Sequence, residues 1–255
     1  MPVSIEPGVK LNTREFTAWA TCRLAPPADD EVHVWYAICG SLTPDPARLD
    51  HFLSEDENTR AARFRFEEHR RHFVRSHAMV RLLIASYCDA NPKEICFSVG
   101  SHGKPSIDVS HASGLTFNLS HADGIILCAF ANRRQIGVDV EQVRVKFNLE
   151  EIGERFFSAA ERHVLRRVPA NEKHSAFFRL WTRKEAYIKA RGEGLSHPLH
   201  QFDVSLANAG NVLASTRPDA EEANRWVVWN IGVPRGYVAA VAFEATAPEQ
   251  RRIPE

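Results

Sequence analysis

Apolar and polar residues alternate along EVHVWYAIC (31–39), a pattern that predicts a half-buried strand. At Ser54 the rhythm changes. Ser54-x-x-Glu57 reads as a capping box, and helical sequence runs from it to about Cys88, before Asn91-Pro92 breaks it. Short strands are expected at 95–99, 115–119 and 125–131, the last two forming a hairpin around SHADG. The plan then recurs with a strand at 135–141, a helix after Ser158 and a longer helix at about 172–191. Strands near 200–206, 211–215, 226–231 and 237–243 close the chain, while PPADDE and the tail EATAPEQRRIPE read as loose.

Self-comparison strengthens this recurrence. FLSEDE (52–57) resembles FFSAAE (156–161), and Phe97-Ser98-Val99 answers Phe202-Asp203-Val204. FNLSHADG (117–124) answers WNIGVPRG (229–236), with Asn118 on Asn230 and Gly124 on Gly236. Three matches in one order predict two copies of an α+β unit, residues 1–134 and 135–255, with a cleft between them.

Composition narrows the setting. The 255 residues are 25% charged and 44% apolar with no net charge, so no global field draws the chain to nucleic acid or an anionic membrane. Five widely spaced cysteines without a CxxC read as reduced thiols. The N-terminus lacks a signal-peptide plan, and GIILCAFA and YVAAVAF are too short to span a bilayer. These readings lead to the expectation of a cytoplasmic protein, with the internal duplication favouring a monomer. Residues 60–81 form a locally basic stretch, which by itself reads as a solvated helix face.

Candidate chemistry begins at QIGVDVEQV (135–143), where Asp139 and Glu141 share one face of the strand and Val138 and Val140 the other. Two carboxylates so close repel each other, so either both lie in water on an exposed strand face, the default for such a pair taken alone, or a cation offsets them. In FFRLWTRKEAYIKARGEGL (177–195), Phe177, Trp181, Glu185 and Ile188 share a helical face, which makes Glu185 an acid among apolar residues. It either pairs with Lys189 one turn on or joins Asp139 and Glu141. Three carboxylates would suit magnesium, which takes hard oxygen ligands and substrate phosphates. Lys184, Lys189, Lys104, Ser120 and His121 complete the outline of a polyphosphate site. Plain turn chemistry is the alternative for Ser120-His121, and a solvated turn for Lys104.

FNLSH, IGVDVE, FFS-x-x-E and WTRKEAYIK, in this order, resemble the 4′-phosphopantetheinyl transferases of the surfactin-synthetase-activating type, from about Leu53 to Leu195. The resemblance implies a pseudo-dimeric α+β fold with the active site between the halves. It also implies a holo-[acyl-carrier-protein] synthase reaction, in which the 4′-phosphopantetheine of coenzyme A passes to a serine of an apo acyl or peptidyl carrier protein, releasing adenosine 3′,5′-bisphosphate. On that resemblance Asp139, Glu141 and Glu185 fall on magnesium ligands, and Lys184 and Lys189 on lysines near the pyrophosphate. Ser120, His121 and Lys104 fall on positions holding coenzyme A phosphates or its adenosine end, and Arg60, with Arg70 or Arg71, on the grip for the 3′-phosphate. Glu161 resembles the proposed base, yet Ser158-x-x-Glu161 is equally a capping box. Glu57 departs from the pattern, standing where well-known members carry a basic residue.

The basic helix, including Arg75 and Arg81, is also expected to dock the acidic carriers typical of this family. Two other readings stay open: a catalytically silent module binding coenzyme A or carrier, and a metal-dependent phosphohydrolase or nuclease. The acid-x-lysine pattern common in nucleases fails here, because Gln142-Val143 follows Glu141.

Overall fold

The computed structural model describes residues 3–6, 9–39, 48–108, 114–146, 148–194, 197–208 and 210–245, so the predicted loose tail beyond Ala245 lies outside the described residues. In the first half, strands β1 (Val3–Glu6), β2 (Val9–Glu15) and β3 (Glu31–Ile38) precede helices α1 (Glu55–Ala62) and α2 (Glu67–Cys88). Strands β4 (Phe97–Val99), β5 (Pro105–Ile107), β6 (Leu115–Ala122) and β7 (Ile125–Asn132) follow. The second half runs β8 (Ile136–Gln142), α3 (Leu149–Phe156), α4 (Ala159–Arg167) and α5 (Lys173–Arg191). It ends with β9 (Phe202–Val204), β10 (Leu213–Thr216), β11 (Trp226–Ile231) and β12 (Tyr237–Glu244).

The repeat read from the sequence reappears as topology. β3 pairs antiparallel with β7 and β7 with β6, while β8 pairs antiparallel with β12 and β12 with β11. Ser54 caps α1 and Ser158 caps α4, each through a complete capping box. The two Phe-x-Val segments, β4 and β9, each open a two-stranded antiparallel ladder, with β5 and β10.

Burial explains the long apolar runs. In β7, Ile126, Cys128 and Phe130 pack with Met79, Leu82 and Leu83 of α2. The intervening Ile125, Leu127 and Ala129 join Val138, Val140, Val241 and Phe243 of the other sheet. β12 does likewise, turning Ala240 and Ala242 toward the aromatic core around α5. The result is four layers, α2, sheet, sheet and α5, whose central strands are buried on both faces and therefore carry no polar alternation.

Where the halves meet, β6 and β8 are outer strands of their sheets. Asn118 Oδ1 accepts from the Val138 amide (2.9 Å), and Ser120 Oγ from the Val140 amide (3.3 Å). Side chains two residues apart on one strand thus satisfy amides two residues apart on the other, closing an edge that would otherwise stand unpaired.

The structure differs from expectation in several elements. β1 and β2 had not been foreseen, although Val9 and Leu11 are both buried and β2 lies parallel to β3. The single helix expected over 54–88 is two. Phe64 turns in against Phe73 (5.3 Å between centroids) and the cluster of Leu49, Leu53 and Val74, and this tertiary burial interrupts the helix. α3, capped by Asn148, and the β5 partner of β4 are both too short to show a period.

Candidate active site

The strand β8 turns Ile136, Val138 and Val140, each at most 1% exposed, into the core between the sheets. Gly137, Asp139 and Glu141 therefore face the other way, toward α5. Gly137 makes the approach possible. A Cβ built there would stand 2.2 Å from both the Ala186 carbonyl oxygen and the Ala190 amide nitrogen, so α5 rests its backbone on the strand at this residue.

That crossing brings the second acidic element to the first. Lys189 Nζ donates to Asp139 Oδ1 (2.6 Å) and to Ser120 Oγ (3.1 Å), and Ser120 Oγ donates to Asp139 Oδ1 (2.9 Å). Asp139 is 5% exposed, and its Oδ2 is buried with no hydrogen-bond partner. Burial, and then the charge of Asp139, push the Glu185 carboxyl up to about 7. Glu141 is raised for the same two reasons, against the opposing charges of Arg144 and Lys189 and a hydrogen bond from Trp181. Glu185 thus feels the charge of both strand acids as well as that of Lys189.

An orphaned carboxylate oxygen beside two acids made harder to ionise is a donor set that fits a hard dication. Its present spacing is not that of a bound ion: among the described residues no three His, Cys, Asp or Glu side chains are gathered closely enough to hold a metal. The Lys189 ammonium places positive charge against Asp139.

The last residues of β6 carry His121 beside this cluster. Its ring lies edge-on to His72 of α2, 4.4 Å between centroids. Burial depresses the His121 pKa, with the positive field of Lys189 and of His77 adding to it and Asp139 opposing. His72 had not been singled out from the sequence, where nothing separates it from the other basic residues of the helix.

Other candidates stand elsewhere. Lys184 is fully buried, bonded to Glu161 Oε1 (2.9 Å) and to the carbonyls of Leu199 and Phe202 (2.7 Å each). Glu161, 2% exposed, also accepts from the amides of Ser158 (2.9 Å) and Val204 (2.8 Å). Lys184, expected near the pyrophosphate, and Glu161, expected as base or cap, thus form an enclosed pair that ties α4 to α5 and β9. Lys104 donates to the Ala190 carbonyl (2.8 Å) and Gln135 Oε1 (3.0 Å), at the C-terminal end of α5.

The expected 3′-phosphate grip is engaged locally. Arg70 binds Asp50 (3.3 Å) and Glu67 (3.4 Å), Arg71 binds Glu67 (3.2 Å), and exposed Arg60 lies over Phe73, 5.2 Å from its centroid. Glu57 faces inward to His77 (2.8 Å) and Arg81, which explains an acid at that position. Arg81, 2% exposed, also holds the carbonyls of Pro92 and Ile95, so it offers nothing to a docking partner.

Residues 135–242 match the family model of the 4′-phosphopantetheinyl transferase superfamily, and residues 43–133 match that of the 4′-phosphopantetheinyl transferase N-terminal region. The chain is 37% identical over 214 residues to the 4′-phosphopantetheinyl transferase HetI of Nostoc sp., covering 84% of this chain and 87% of that one. It is 34% identical over 166 residues to Sfp of Bacillus subtilis, covering 65% and 71%. The chain belongs to the 4′-phosphopantetheinyl transferase superfamily, in its Sfp-like branch, and has the two-lobed α+β fold of that family. It is accordingly an enzyme that transfers 4′-phosphopantetheine.

Proposed function

We propose that the donor is coenzyme A and the acceptor a serine of an apo acyl or peptidyl carrier protein, in a magnesium-dependent reaction that releases adenosine 3′,5′-bisphosphate. Residues 1–134 and 135–255 form the two lobes, with the reaction in the cleft between them. The observation that carries this reading is the bonding of Lys189 and Ser120 to Asp139 where α5 crosses β8, with Glu141 and Glu185 within reach of the same charges. Asp139, Glu141 and Glu185 would hold the magnesium, which supplies positive charge at the pyrophosphate oxygens when bound.

Within that frame the protein's own groups do the following. Lys189 releases Asp139 and pairs with a phosphate oxygen as the bond to the adenosine-side phosphate breaks. Ser120 and His121 donate to phosphate oxygens from the end of β6. The serine Oγ attacks the pantetheine-side phosphorus while its proton passes to a carboxylate of the cluster, adenosine 3′,5′-bisphosphate leaving. Reduced cysteines and the duplicated halves support a cytoplasmic monomer, with neither nucleic acid nor membrane as partner.

The test is to incubate the protein with coenzyme A, magnesium and a panel of apo carriers. A mass gain on the carrier that EDTA abolishes is the expected result. Coenzyme A cleavage without carrier modification would replace this reading with a hydrolase, and binding without turnover with a silent binding module.

A further inference from the structure

At the C-terminal end of α5, a cavity of about 540 Å³ opens between β5, β6 and the segment that leads into β8. Ile107 and Phe117 supply apolar floor, and Lys104, Arg133, Arg134 and Glu244 supply the charge. Three cations thus face one carboxylate.

Arg134 is the unexplained group. It is 8% exposed, and both terminal guanidinium nitrogens are buried without a hydrogen-bond partner among the described residues. The acids that act on it are engaged elsewhere. Asp29 accepts from Asn132 (2.8 Å), Asp30 from Lys10 (3.1 Å) and Glu244 from the Gln135 amide (2.9 Å). A buried cation with no acceptor is costly, and the cost is offset when an outside anion supplies the missing oxygens.

The surrounding backbone holds this group in place. The Thr116 hydroxyl donates to the Arg134 carbonyl (2.6 Å), and the Arg133 amide donates to the Gly114 carbonyl (2.6 Å). Arg133 sits in the left-handed region (φ 51°). Gly114, at φ 96°, admits that turn, since a Cβ there would lie 2.7 Å from Arg133 Cγ. Lys104 spends two of its three ammonium protons on Gln135 and Ala190, leaving one for a ligand. A guanidinium fork, an ammonium proton and an apolar floor match a tetrahedral dianion attached to a flat or apolar body. A carboxylate, with a single charge, would leave more of the positive field unanswered.

We propose that this cavity binds a phosphate monoester, gripped by the Arg134 guanidinium with Arg133 and Lys104 at its edge. The ester is either a phosphate of the donor itself, in which case the proposal rests on the coenzyme A reading above, or that of a separate phosphorylated small molecule.

Thermal melting of the full chain over a phenyl phosphate titration tests this, with Arg134→Met and Ser106→Glu as variants. Ser106 is an exposed residue of the cavity wall, so its replacement adds an opposing charge and leaves Arg134 in place. Without ligand, Arg134→Met should melt at or above the parent, because a partnerless buried charge has been removed. With phenyl phosphate the parent should gain stability, and each variant should need at least tenfold more ligand for the same gain. An unresponsive parent, or variants that respond like it, would overturn the proposal. Michaelis constants for coenzyme A and 3′-dephospho-coenzyme A then identify the source. A rise for coenzyme A alone in Arg134→Met assigns the pocket to the donor's 3′-phosphate, and no change in either assigns it to a free ester. Melting needs no carrier, so a parent without transfer activity would defeat the transferase reading while leaving the phosphate result intact.

Discussion

Gly137→Ala is the sharpest probe of how the site is assembled. The added methyl would begin 2.2 Å from the Ala186 carbonyl oxygen and the Ala190 amide nitrogen, where ordinary contact begins at 3.4 Å. Both obstacles are backbone, so no side-chain rotation relieves them. Either α5 or β8 must move by about 1 Å, a strain of the kind that costs about 1–3 kcal/mol in packed cores. For a chain of this size that lowers the melting temperature by roughly 2–4 °C per kcal/mol. The same displacement separates Lys189 and Glu185 from Asp139, and a shift near 1 Å at a reacting centre costs on the order of 100-fold in rate. Gly232→Ala, with nothing within 4 Å of the new Cβ, is the matched control and should be silent. Carrier loading at saturating coenzyme A, measured beside calorimetry, gives both readouts. If Gly137→Ala melts and turns over like the parent, the close crossing does not set the site and the reasoning from it is wrong.

Asp139→Asn should leave the protein folded yet lower kcat by about 100-fold or more, since the carboxylate facing Lys189 and the proposed ion loses its charge; single-turnover loading measures this. Glu161→Gln and Lys184→Met should each destabilise by about 3–5 kcal/mol, as expected for breaking a buried pair, and less than additively together. In the folded fraction of Glu161→Gln, kcat should stay within a few-fold of the parent, and a collapse there would restore Glu161 as the base. Burial pushes Glu57 up, but hydrogen bonds from His77 and Arg81 prevail and hold it at about 2. Its pKa is thus depressed by folding, so its stabilisation is complete above the unfolded value of about 4.3 and is lost as pH falls toward 2. Urea titrations at pH 7 and pH 3 should show a smaller loss of stability in Glu57→Gln than in the parent.

Short-range pattern carried much of this molecule. The Ser54 and Ser158 capping boxes formed as read, because a cap is settled by residues within one turn. The shared face of Asp139 and Glu141 followed from strand period alone. Neighbours distant in the chain were harder to foresee. Nothing local shows that Lys184 faces inward to Glu161 while Lys189, five residues on, reaches Asp139; that division depends on which side of α5 meets β8. The break after α1 was hidden because Phe64 fits a helical pattern and leaves it only to pack against Phe73. Arg134 looked like any basic residue of a turn until its surroundings were known.

Asn118 and Ser120 join the two lobes by side-chain reach, not by a backbone ladder, and this limits how the chain can vary. Contacts spaced two residues apart on each strand can be re-formed only after a slip of a whole pleat repeat, roughly 6.6 Å, and never after a slip of one residue. Because Ser120 also binds Asp139, the distance between the halves cannot be adjusted gradually without disturbing the chemistry. Evolution along this joint is left with side-chain exchange, while insertions must find room in the loops.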